Sequence, residues 1–195
     1  MRMVAMFRHG KKNKEEKTHL ITKECLREIE TQGISGINEL LPKAKRIVIH
    51  LGTGWHRTRQ TIKAFERYLT ANGYRVAFYI RKYNRLGSKA IFNHLLADAS
   101  LMEDANTKGW NYAVTHANGK YYDRLRENMK FALGDIFLKL RDGDLCISIG
   151  HNGLIEPLAH LVDPQAVNDQ INLKELDGVI FQANRTSIKV KVVIK

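Results

Sequence analysis

The chain has little of what would place it outside a cell or within a membrane. Only two cysteines, Cys25 and Cys146, stand among 195 residues. Neither belongs to a Cys-x-x-Cys pair, so no disulfide framework is expected and a reducing cytoplasm is the expected setting. Proline occurs three times and no low-complexity tract interrupts the chain, so no linker is visible. No apolar run nears the ~18 residues of a membrane span. The short apolar start runs at once into charge, unlike a signal peptide. Carboxylates are scarce beside cations: 20 acidic against 32 basic residues, a net charge of +12. That balance attracts anions such as phosphorylated substrates, nucleic acid or acidic lipid, and a basic solvated surface accounts for it equally well. Metal and nucleotide signatures are missing too. There is no His-Glu-x-x-His, no aspartate cluster and no glycine-rich loop ending in Lys-Ser or Lys-Thr.

What remains is a 44% hydrophobic, 27% charged chain, the composition of one globular domain over 1–195. Short apolar runs at 3–7, 46–51, 74–80 and 145–149 read as buried strands. Amphipathic stretches lie between them. Thr58, Thr61, Ile62, Phe65, Tyr68 and Leu69 form one helical stripe, and Leu125, Met129, Ala132, Leu133, Ile136, Phe137 and Leu140 another. A short helix is expected over 36–41, and 98–119 reads as an irregular inserted excursion over the sheet edge. Runs at 178–182 and 187–194 form a hairpin, its second strand marked as an edge by Lys189 and Lys191. The alternation predicts an α/β fold: a three-layer α/β/α sandwich with a mainly parallel sheet.

Right-handed crossovers bring the carboxyl ends of the parallel strands to one rim, where ligands bind in such sheets. Three strand ends carry basic groups. Arg8-His9-Gly10 closes the first run, the glycine allowing a sharp turn. Arg57-Thr58-Arg59-Gln60-Thr61 opens the helix after the second, a position where the dipole disfavours a cation unless an anion shares it. Gly150-His151-Asn152-Gly153 follows a late strand. Two guanidiniums neutralise a phosphoryl group through paired hydrogen bonds. One neutral imidazole can attack phosphorus, and a second can donate to its oxygens.

These three motifs, in this order, resemble the histidine phosphatase superfamily, the phosphoglycerate-mutase-like proteins, in its small phosphatase branch. The resemblance spans 3 to about 162. It implies that His9 becomes phosphohistidine, that Arg8 and Arg57 bind the phosphoryl oxygens, and that His151 completes the pocket without metal or cofactor. Leu101-Met102-Glu103 looks like the family's Leu-x-Glu, making Glu103 the candidate proton donor, with Asp104 the alternate. Asn13, or a lysine of the loop after Gly10, is a candidate second contact to the anion. The sequence departs from the family where Lys11-Lys12 replaces its usual Glu, Gln or Ala followed by Ser or Thr. Gly52-Thr53-Gly54-Trp55 stands where Ser-Ser-Pro-Leu is common. Asn152 replaces the acid-phosphatase aspartate, and Gly-His-Asn is similar to the branch acting on phosphohistidine proteins.

The expected activity is hydrolysis of phosphomonoesters or phosphohistidine on a phosphorylated small molecule or phosphoprotein. A mutase and an idle polyanion binder are the alternatives. Nucleic acid is not expected as a partner, since the basic loop 81–85 carries a single aromatic. No membrane partner is expected, and oligomeric state is not legible.

Overall fold

A computed structural model of the chain describes residues 1–12, 20–51, 55–80, 89–169, 171–184 and 186–193. Its apolar runs form β1 (Arg2–Arg8), β2 (Arg46–His50), β3 (Val76–Ile80), β4 (Asp144–Gly150), β5 (Gly178–Ala183) and β6 (Ile188–Val193). They make one sheet in the order β3-β2-β4-β1-β5-β6. The pairings β2–β3, β2–β4 and β1–β4 are parallel; β1–β5 and β5–β6 are antiparallel. The expected hairpin is present, its turn held by the Asn184 side-chain carbonyl, which accepts from the backbone N–H groups of Thr186 and Ser187. β6 lies at the edge with Lys189 and Lys191 exposed.

Both faces of the sheet are covered, because successive side chains of a strand point to opposite sides. Val4, Met6, Val48, Cys146, Val179 and Phe181 enter one core. Met3, Ala5, Phe7, Ile47, Ile49, Leu145, Ile147 and Ile180 enter the other. The second core is closed by α1 (Lys23–Gln32), α2 (Ser35–Asn38) and α3 (His56–Ala71). The first is closed by α4 (Lys89–Ala97), α5 (Ala99–Thr107), α6 (Trp110–His116), α7 (Lys120–Lys139) and α8 (Asn152–Val162). Each fully buried Leu, Ile or Phe here contributes roughly 1.5–3 kcal/mol of transfer free energy. The α7 stripe read from the sequence is buried as expected.

Three local readings change. The 98–119 stretch is two short helices, not irregular backbone. Asp98 caps α5 by accepting from Leu101 N–H at 3.0 Å, and Gly109, at φ 93, separates it from α6. The helix expected over 36–41 shortens to α2 and a 3-10 turn at Leu41–Lys43, where Pro42 cannot continue an α-helix. β3 begins at Val76. Among the described residues no helix is long and apolar enough to cross a membrane.

Candidate active site

Sheet register decides what meets at the rim. Arg8 pairs with Gly150 across the parallel β1–β4 ladder, so the two strands end level. The next residues are His9 and His151. His9 N–H donates to the Gly150 carbonyl at 3.1 Å, and the two imidazole centroids lie 5.1 Å apart, edge to face. Each histidine is only 4% exposed.

α3 supplies the third corner. Trp55, just before it, sets its ring edge-on to His151 at 5.5 Å. The Arg57 guanidinium lies over the Trp55 ring, 5.8 Å from its centroid. Neither α3 nor α8, which starts after His151, has a side-chain cap or an acid in its first turn. Both helices therefore aim uncapped N–H groups and a positive dipole end at this rim.

Gly10 does not adopt the left-handed backbone expected of a sharp glycine turn. Close packing requires it instead. A Cβ there would stand 2.7 Å from Cys25 Sγ and 3.3 Å from Ile21 Cγ2. The Gly10 N–H donates to Thr61 Oγ1 at 3.1 Å, and the Thr61 hydroxyl donates to the Arg57 carbonyl at 3.0 Å. One threonine thus ties the end of β1 to the helix that carries Arg57.

His9 Nδ1 lies 2.7 Å from the Gly10 carbonyl. A carbonyl only accepts, so the proton sits on Nδ1 and the Nε2 lone pair is left available. Burial lowers the His9 pKa to about 4; the cations Arg57 and Arg8 add to this, while the Gly10 hydrogen bond and Glu175 oppose it. Burial likewise lowers His151 to about 3, helped by His9, Arg57 and Arg8. Burial and then Arg8 lower the Arg57 pKa. The pocket therefore holds two neutral imidazoles between two guanidiniums near neutral pH.

The Nε atoms of Arg8 and Arg57 are both buried without a hydrogen-bond partner. Arg8 Nη1 donates to the Leu173 carbonyl at 2.5 Å, and Nη2 lies 3.8 Å from Glu175 Oε1. That leaves Nε without a partner, on the edge it shares with Nη2, the edge that grips an oxyanion with two hydrogen bonds. Among the described residues no three His, Cys, Asp or Glu side chains are grouped as metal ligands.

The four central residues read from the sequence, Arg8, His9, Arg57 and His151, thus come together. The proton-donor candidates do not join them by any described contact. Glu103 is exposed on α5, and Asp104 pairs with Lys108 at 3.0 Å. Asn13 lies outside the described residues, as do 52–54 and the loop 81–88. Sequence reasoning missed Trp55, Glu156 and Glu175. Glu156 left one signal, the only carboxylate in a mostly apolar helix, Asn152–Val162. It is 1% exposed, and burial lifts its pKa to about 7.

No protein-family model matches this sequence, and no curated protein matches it. Solved structures do match. YhfR of Bacillus stearothermophilus superposes with a TM-score of 0.62 at 11% identity, over 98% of this chain and 96% of that one. Phosphoglycerate mutase of Bacillus anthracis gives 0.61 at 12% identity, over 98% and 92%. A mycobacterial glucosyl-3-phosphoglycerate phosphatase, in complex with VO3, gives 0.58 at 12%, over 100% and 98%. The chain therefore has the fold of the phosphoglycerate-mutase-like histidine phosphatases.

Proposed function

We propose that this chain is a phosphatase of that superfamily, acting through a phosphohistidine on His9. The observation that carries the reading is the pair of neutral imidazoles 5.1 Å apart, set between two arginines whose buried Nε atoms lack partners. Arg8 and Arg57 bind the phosphoryl oxygens. His9 Nε2 attacks phosphorus and the ester P–O bond breaks, giving a phosphohistidine. Water then attacks phosphorus, the P–N bond breaks, and its electrons return to Nε2. His151 donates to the equatorial oxygens, where charge is concentrated during each transfer. The pocket supplies its own positive charge, so no metal is invoked. The neighbour named a glucosyl-3-phosphoglycerate phosphatase supports a small phosphorylated substrate. A phosphohistidine protein is kept in the substrate screen because of the Gly-His-Asn motif.

The purified protein is expected to hydrolyse an aryl phosphate with chelator present. Alkaline quenching should trap an acid-labile phosphoryl group on His9. His9→Ala should lower turnover by on the order of 10³-fold or more while leaving the circular dichroism spectrum unchanged. Full activity in that variant would falsify the reading. Isomerisation of phosphoglycerate without phosphate release would establish a mutase instead, and phosphate binding without labelling a mere binder.

A further inference from the structure

The turn before β5 is built around Arg8. Arg8 N–H donates to the Asp177 carbonyl at 2.8 Å, and its Nη1 holds the Leu173 carbonyl. Leu173 N–H is anchored in turn on Glu156 Oε1 at 3.0 Å. Asp177 closes the turn. Its Oδ2 accepts from Lys174 N–H at 2.7 Å, and its N–H donates back to the Lys174 carbonyl at 3.2 Å. Leu173 and Leu176 are 1% and 5% exposed. Leu176 is the one non-glycine at positive φ, 65°, among the described residues. A bulky residue holds that conformation only where its surroundings impose it. Glu175 lies within this turn, between Lys174 and Leu176. Its side chain is 39% exposed and lies 3.8 Å from Arg8 Nη2.

We propose that Glu175 is the proton carrier of the reaction, an inference that rests on the phosphatase reading above. In-line displacement puts the leaving oxygen opposite the nucleophile. His9 is 4% exposed, whereas the Glu175 side chain is 39% exposed and lies against Arg8, the residue next to His9. The other two carboxylates here are committed inward, Glu156 to Leu173 and Asp177 to Lys174. The charge of Glu175 also reaches His9, raising its proton affinity against the arginines.

The steps balance as follows. A phosphomonoester monoanion brings a proton, which the Glu175 carboxylate takes up. As the His9 Nε2–P bond forms and the P–O bond breaks, that proton passes to the leaving oxygen and an alcohol departs. The carboxylate then takes a proton from the water that attacks the phosphohistidine. That proton leaves with the phosphate.

The test compares Glu175→Gln with the wild-type protein on two esters, p-nitrophenyl phosphate and glycerol 3-phosphate. An alkoxide needs protonation to leave and a nitrophenolate does not. Formation of phosphohistidine from the alkyl ester should therefore slow by about 10²- to 10⁴-fold. Formation from the aryl ester should stay within about threefold. Phosphohistidine should accumulate with the aryl ester, because its hydrolysis has lost the base, and Glu175→Asp should recover part of the alkyl rate. Equal loss on both esters overturns the proposal, as does no loss on either, or a leaving-group-dependent loss in Glu103→Gln instead. A wild-type protein that labels His9 with neither ester defeats the phosphatase reading itself, which is a separate outcome.

Discussion

Cys25 stands where a side chain on Gly10 would have to go, and this makes the residue after His9 sensitive to one methyl group. Gly10→Ala forces its Cβ against a buried sulfur, an overpacking cost of about 1–3 kcal/mol. The displaced carbonyl can no longer fix the His9 tautomer. We expect a lowered midpoint of unfolding and a lowered kcat. Adding Cys25→Ala should recover most of both, because the two changes share one contact. Arg8, His9, Arg57 and His151 were legible because each sits where a strand meets a loop or a loop meets a helix, with its motif beside it. Glu175 was not. Its nearest partner is 167 positions away, and only the antiparallel pairing of β5 with β1 brings the two together.

At the scale of elements, the site is a joint between β1, β4 and α3. Register sets the histidines level, and Thr61 pins α3 to the end of β1. Thr61→Val keeps the shape and removes the acceptor, leaving a buried N–H that costs about 1–3 kcal/mol. We expect that loss in chemical denaturation. We also expect weaker inhibition by vanadate, since Arg57 is then no longer held against β1. Long apolar runs and the twenty-residue α7 were readable from periodicity alone. The helices α5 and α6 were not. Each buries few apolar side chains, Leu101 in one and Ala113 and Val114 in the other. So little burial leaves no stripe to count.

Among the described residues three histidines are buried and held neutral. Burial holds His9 and His50 at about 4 and His151 at about 3, against 6.5 when unfolded. Between pH 6.5 and 4 the unfolded chain therefore binds protons that the folded chain refuses, so stability falls on acidification. Glu156 acts in the opposite sense. Folded near 7 and unfolded near 4.5, it takes a proton as the pH falls and partly offsets the loss. Three against one leaves a net decline, which urea midpoints measured from pH 7 to pH 4 should follow. Inorganic phosphate should slow the decline through His9 and His151 and leave the His50 share untouched. A flat profile would show that these rings are solvated.

The sheet order has a further consequence for biosynthesis. β1 takes a central place between two strands translated much later, β4 and β5. Its sticky segment from Met3 to Phe7 must wait while some 140 residues are translated. During that interval it is a natural target for chaperones. The pocket where β1 and β4 end takes shape only after both strands have been translated.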